Sequence, residues 1–162
     1  MLVILIAILE KQHVRGTKRK TLWFLGDYYT EKINASETQG RYAIWEIEVE
    51  KGPPLHKHSR EDEGFYVLEG KFAFPYGNSE TNASKGEFAY APRGQFHTHK
   101  NIGDSIGKLL LVATPADNLE KFLKETGIVV DERSSFKEPQ ITPADIEKVI
   151  TIANKHGLEV RI

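Results

Sequence analysis

The sequence predicts an all-β domain, a sandwich or barrel of short strands followed by two helices, from three observations. From Thr21 onward apolar residues come in short runs rich in β-branched and aromatic side chains. Turn chemistry separates the runs, at Gly52-Pro53-Pro54, Gly77-Asn78 and Gly103-Asp104. After Thr114 the apolar spacing changes to a helical i, i+3, i+4. At 162 residues the chain has the length of one ordinary domain and buries a core without staples.

Residues 1–20 read as an N-terminal strand or extension. Met1 to Leu9 is entirely apolar and is followed by Lys11, Arg15, Lys18, Arg19 and Lys20. A secretory leader carries its positive charge before the apolar run, and a spanning helix needs about 20 apolar residues, so the stretch fits neither. An apolar stretch of this kind is not left bare in water, which points to a homodimer contact.

The barrel is expected over residues 21–114. TLWFLGDYYTEKI supplies its first strand material, and in YAIWEIEVE the residues Ala43, Trp45, Ile47 and Val49 form an apolar face opposite Ile44, Glu46 and Glu48. Further strands are expected at Phe65–Leu68, Lys71–Pro75, Phe88–Ala91, Phe96–Lys100 and Leu109–Ala113. Phe65, Phe72, Phe74, Phe88 and Tyr90 read as barrel packing; any that reach a pocket favour an apolar or aromatic ligand.

Residues 115–162 are expected to form a helical segment packed on the barrel. Pro115 suits the first position of a helix with the stripe Leu119, Phe122, Leu123, ended by Gly127. After the polar loop DERSSFKEPQ, Thr142-Pro143-Ala144-Asp145 caps a second helix carrying Ile146, Val149, Ile150 and Ala153, with Gly157 just past its end.

The chemistry concentrates in His56-Lys-His-Ser-Arg-Glu-Asp-Glu63. Pro53-Pro54 disfavours a helix, so His56 and His58 lie on an extended segment and share a face. Ser59 to Asp62 then turns. In the next strand Glu63 has the parity of Phe65 and Val67 and so faces inward, with Asp62 outward; Glu61 sits in the turn, where parity is a poor guide.

These residues resemble the cupins, small β-barrels of the double-stranded β-helix or jelly-roll type, whose two motifs supply metal ligands from neighbouring strands. His56, His58, Glu63 and Gly70 match the first motif, and Gly86, Pro92, Gly94, His97 and Asn101 match the second. One departure is Glu50, where the first motif usually has glycine; the nearest glycine is Gly52. More loosely, from Trp23 to the C-terminal helix, the chain is similar to single-domain quercetinase-like cupins.

The resemblance implies that His56, His58, Glu63 and His97 hold one divalent transition metal ion, Fe, Mn, Ni, Cu or Zn. Three imidazoles and a carboxylate suit all of these, and an octahedral ion would keep two open positions. It also implies a quercetinase-like, metal-dependent dioxygenase acting on a small, flavonol-like aromatic compound, with Glu63 as the catalytic base. His99 shares a strand face with His97 and is the second catalytic candidate, an imidazole for proton transfer near physiological pH. Two other classes also fit: an isomerase or lyase using the metal as Lewis acid, and a non-catalytic metal or small-ligand binding module.

Outside this set, His13 and His156 read as surface or capping residues, and Glu87, Arg93 and Lys100 as solvated charges. A net charge of −1, from 22 basic and 23 acidic residues, creates no field for nucleic acid or an anionic membrane. The absence of cysteine excludes disulfides and thiolate metal sites and fits a cytoplasmic protein. The expected partners are a small-molecule substrate and a second copy of the chain.

Overall fold

The computed structural model describes residues 19–162, so the apolar stretch Met1–Leu9, His13 and the dimer contact expected of that stretch lie outside the described residues. Twelve strands and two helices follow: β1 (Thr21–Phe24), β2 (Asp27–Ile33), β3 (Ala43–Val49), β4 (Leu55–His58), β5 (Asp62–Glu69), β6 (Lys71–Tyr76), β7 (Ser79–Ser84), β8 (Phe88–Ala91), β9 (Lys100–Asn101), β10 (Gly107–Thr114), α1 (Asp117–Thr126), β11 (Ile128–Val130), α2 (Pro143–Lys155) and β12 (Leu158–Arg161). One sheet has the order β11-β1-β2-β3-β10-β5-β8, and the other face is made by β12-β4 and β7-β6-β9. All named pairings are antiparallel. Backbone bonds join the two smaller sheets: the His97 N–H donates to the His56 carbonyl (2.8 Å), the His56 N–H donates back to the His97 carbonyl (2.9 Å), and His97 also bridges Tyr76.

The core lies between these layers. Trp45, Ile47, Val49, Val67, Phe72 and Leu109 are fully buried, as the alternation in β3 and β5 requires. On the outer face of β3, Glu46 pairs with Lys32 and Glu48 with Arg133. Leu119, Phe122 and Leu123 of α1 are buried as expected. Helix α2 is closed by a capping box between Thr142 and Asp145 and buries Val149, Ile152 and Ala153.

Several expectations need correction. Phe96–Lys100 is not a continuous strand: regular pairing begins only at Lys100, because His97 is shared between two neighbours through single bridges. Pro115 precedes α1, whose N-cap is Ala116 with its N–H bonded to the Gly40 carbonyl. The segment after Thr114 is not purely helical, since β11 pairs with β1 and β12 with β4. Phe65, Phe72 and Phe74 pack inside, but Phe88 and Tyr90 are each 60% exposed, on the outward parity of edge strand β8. Glu87 accepts the Ser84 N–H, and Arg93 forks onto Asp62, so these two charges hold turns rather than standing free. His156 caps α2, as expected, and also bonds Glu125. Among the described residues no helix is long and apolar enough to cross a membrane.

Asp27 is 3% exposed at the start of β2 and accepts the Glu50 N–H at 2.9 Å, which fixes the chain just before Gly52. Burial raises its carboxyl from 3.8 to about 7, against the N–H groups of Glu50, Lys51 and Gly52. Because the folded value lies above the unfolded one, the fold binds the extra proton between them. The stability contribution is therefore complete below 3.8 and lost as pH rises through about 7. Asp27→Asn keeps an acceptor without the charge. Its stability relative to the unmodified chain is expected to improve between pH 4 and pH 8 by up to ~4 kcal/mol in urea unfolding. A difference that does not change with pH would contradict this.

Candidate metal centre

The four candidate ligands come from two strands and one bridged segment. Pro53-Pro54 leads into β4, whose extended backbone puts His56 and His58 on the inner face. Strand β5 brings Glu63 inward, 3% exposed, and the bridge to His56 brings His97, 2% exposed, beside it. One donor atom from each of His56, His58, Glu63 and His97 lies within 4.8 Å of all the others, so the structure brings together the four residues singled out from the motifs.

The imidazoles are oriented from behind. His56 Nδ1 lies 2.8 Å from the Pro54 carbonyl and His97 Nδ1 lies 3.0 Å from the Gln95 carbonyl. Each Nδ1–H therefore donates backward and leaves Nε2 facing the cluster. The three Nε2 atoms converge on Glu63 Oε2, at 2.6 Å from His97, 3.2 Å from His58 and 3.8 Å from His56. Both ring nitrogens of His58 are buried without an aligned hydrogen-bond partner. A buried, inward-aimed N3O donor set with unsatisfied nitrogen fits a divalent transition ion.

The electrostatics suit the same conclusion. Burial alone would raise Glu63, but His58, His56 and His97 hold it well below the usual carboxylate range. Burial alone would lower His58, but Glu63 and then Glu61 outweigh it and lift the ring to about 9. His56 is lowered, chiefly by burial. The metal-free cluster thus favours a charged His58 opposite an ionised Glu63.

A cavity of about 40 Å³ adjoins the cluster. His56, Glu63 and His99 reach it from the barrel, and Leu119, Phe122 and Leu158 are among the side chains that close it. His99 is therefore where the strand parity placed it. It packs on Phe65, with ring centroids 5.0 Å apart, and neither ring nitrogen has a hydrogen-bond partner. Its proton chemistry differs from the expectation: burial, then the positive potential of His56, drives it down to about 3, so it is a neutral imidazole at physiological pH.

Two residues of the site were missed from the sequence. Tyr29 is 4% exposed and lines the cavity. Glu61 is fully buried behind His58. Its spacing of three from His58 and its shared parity with Glu63 were the available signals.

Residues 43–113, under half of the chain, match the family model described as the cupin domain. Over 61 residues the chain is 34% identical to uncharacterized protein MJ1618 of Methanocaldococcus jannaschii, covering 38% of this chain and 49% of that protein; it thus spans about half the length of this curated relative. Among solved structures it is similar to a predicted oxalate decarboxylase of Thermotoga maritima, with TM-score 0.57, 18% identity, and 64% of this chain and 98% of that one covered. It is also similar to the nucleoside dehydratase Pac13 of Streptomyces, with TM-score 0.55, 15% identity, and 67% and 87% covered. The cupin domain of Schizosaccharomyces pombe Cnp3 gives TM-score 0.50, 21% identity, and 64% and 74% covered. At these identities the solved structures speak for the fold alone.

Proposed function

We propose that this chain is a mononuclear metal-dependent dioxygenase acting on a compact, uncharged and largely apolar compound. The observation that carries the reading is the wall of the cavity beside the cluster. Apart from His56, Glu63, His99 and the Tyr29 phenol, its lining is hydrocarbon, and it includes no Lys or Arg. A small dicarboxylate or a phosphorylated sugar needs a cation to replace its lost hydration, whereas O2 and a neutral enol or catechol do not. The volume also restricts the substrate: about 40 Å³ holds about three waters, well below the 300 Å³ or more of a drug-sized site. A flavonol is therefore a poorer candidate than a catechol or a small diketone.

His56, His58, Glu63 and His97 would hold the ion, which when bound supplies Lewis acidity and redox chemistry beside the cavity. Glu63 is the proton acceptor of the site. Its ionised carboxylate borders both the cluster and the cavity, within reach of a hydroxyl held there. His99 contributes a neutral ring nitrogen that hydrogen-bonds and orients the substrate. Leu119, Phe122 and Leu158 exclude water and favour an apolar body.

An oxygen electrode with metal-loaded protein tests the reading across catechols, small diketones and flavonols. Uptake is expected with compact substrates. Turnover under argon would instead assign a lyase or isomerase, and metal loading without any turnover a binding module. With an accepted substrate, His99→Phe is expected to keep the metal and lower turnover about tenfold to hundredfold, the worth of one or two hydrogen bonds. Because His99 stays neutral, the pH profile should not move. Unchanged turnover would make His99 a packing residue.

A further inference from the structure

Helix α1 begins without a cap of its own, because its N-cap is Ala116, which has no side-chain oxygen. The acceptor comes instead from the turn before β5: Glu61 Oε1 takes the Asn118 N–H at 3.1 Å. The other oxygen of the same carboxylate, Oε2, lies 3.5 Å from His58 Nδ1, with both side chains at 0% exposure. Neither Oε2 nor the His58 nitrogens have an aligned hydrogen-bond partner, so Glu61 and His58 meet at ion-pair distance, as His58 Nε2 does with Glu63. His56 and His97 have backbone carbonyls behind Nδ1, at Pro54 and Gln95; behind His58 the facing oxygen is Glu61 Oε2.

We propose that Glu61 is a positioning residue: it holds His58 with Nδ1 protonated and Nε2 free for the metal, and ties that ring to α1. This rests on the metal-centre reading of the same cluster. Its consequence is mechanical as well as chemical. Leu119, Phe122 and Leu123 line the cavity from α1, so one carboxylate joins the cavity wall to a metal-binding ring. A carboxylate suits both tasks because it offers two acceptor oxygens and no donor.

Glu61→Gln separates this role from simple capping of the helix. The glutamine carbonyl still accepts the Asn118 N–H, so the helix cap survives. Its amide NH2 then faces His58 Nδ1, which must become an acceptor, and the ring proton moves to Nε2, the atom the metal needs. If the amide flips, two donors meet at Asn118 instead. Zinc affinity, measured on the full chain by chelator competition, is expected to fall about 10- to 100-fold, as for other outer-shell losses. The visible spectrum of the cobalt-loaded variant should also change, while circular dichroism shows the metal-free variant still folded. Zinc affinity within twofold and an unchanged cobalt spectrum would overturn the proposal and leave the metal centre standing. If Glu61→Gln does not fold, the unmodified zinc-loaded chain decides by NMR. A slowly exchanging His58 Nδ1–H resonance supports the proposal, and its absence overturns it. Failure of the unmodified chain to take up zinc or cobalt would remove the metal centre and the role of Glu61 together.

Discussion

His58→Ala is expected to strip the chain of its divalent metal and to remove the proton release that accompanies metal uptake. His58 is at 0% exposure, so no outside donor replaces it. The affinity loss should exceed the 10- to 100-fold typical of outer-shell changes, because a ligand itself is removed. The proton count follows from the cluster. Glu63 and Glu61 keep the metal-free His58 ring charged up to about 9, Glu63 is already ionised, and His56 is lowered. Metal binding near pH 7 must then displace about one proton, and affinity should rise about tenfold per pH unit until pH 9. An unperturbed histidine would place that window near 6.5 instead.

The same groups act on the metal-free fold. The raised His58 value contributes stability that is complete below 6.5 and lost as pH rises through about 9; the depressed Glu63 value contributes stability present above 4.5 and lost in acid. Removing His58 leaves Glu63 buried without its main cation, a change that costs about 3–5 kcal/mol in comparable pairs. Metal analysis, with calorimetry in two buffers of different ionisation enthalpy, measures stoichiometry and proton release. About one ion per chain and one proton per ion are expected. Full metal content in a His56→Ala, His97→Ala double variant would sink the assignment.

Much of this was legible in the sequence wherever one side of an element is buried and the other wet. Strand β3 is the clearest case, since Ala43, Trp45, Ile47 and Val49 are buried and alternate with half-buried positions. The helices were legible from Leu119, Phe122 and Leu123 and from the Thr142 capping box. Strand β7 was not, because SETNAS buries only Ala83 and is held by backbone pairing to β6. Strands β11 and β12 are three and four residues long and owe their form to partners far away in the chain.

In the site, parity located Glu63 on strand β5, and the bridged His97 carried it on to His99. At Glu61 parity also pointed inward but was discounted because the residue lies in the turn; its carboxylate is fixed by Asn118 on a helix more than fifty residues later. The titration of His99 was equally out of reach, because burial and the charge of His56 are properties of the assembled barrel.

The departure at Glu50 leads to the last expectation, that Gly52→Ala will be among the most damaging single substitutions in the chain. Gly52 has φ +99°, which any side chain resists. The larger obstacle is contact: a Cβ there would lie 1.8 Å from the His99 carbonyl oxygen and 3.0 Å from its carbon. These are backbone atoms and cannot rotate away. The segment they belong to is tied to the turn by the Asn101 N–H on the Lys51 carbonyl (3.2 Å) and the Thr98 hydroxyl on the Pro53 carbonyl (2.6 Å). A displacement therefore reaches His99 in the cavity and His97 in the cluster. The close approach that needs glycine thus falls at Gly52. Gly26→Ala is the control, because Gly26 has φ +100° but nothing within 4 Å of its added carbon. That variant should lose only the backbone strain, about 1–3 kcal/mol, with metal binding intact. Gly52→Ala should lose more than ~4 kcal/mol, a fall in Tm of roughly 10 °C or more, with weakened metal binding. Equal losses in the two variants, with equal metal content, would show that the crossing of Gly52 against His99 is looser than the structure places it.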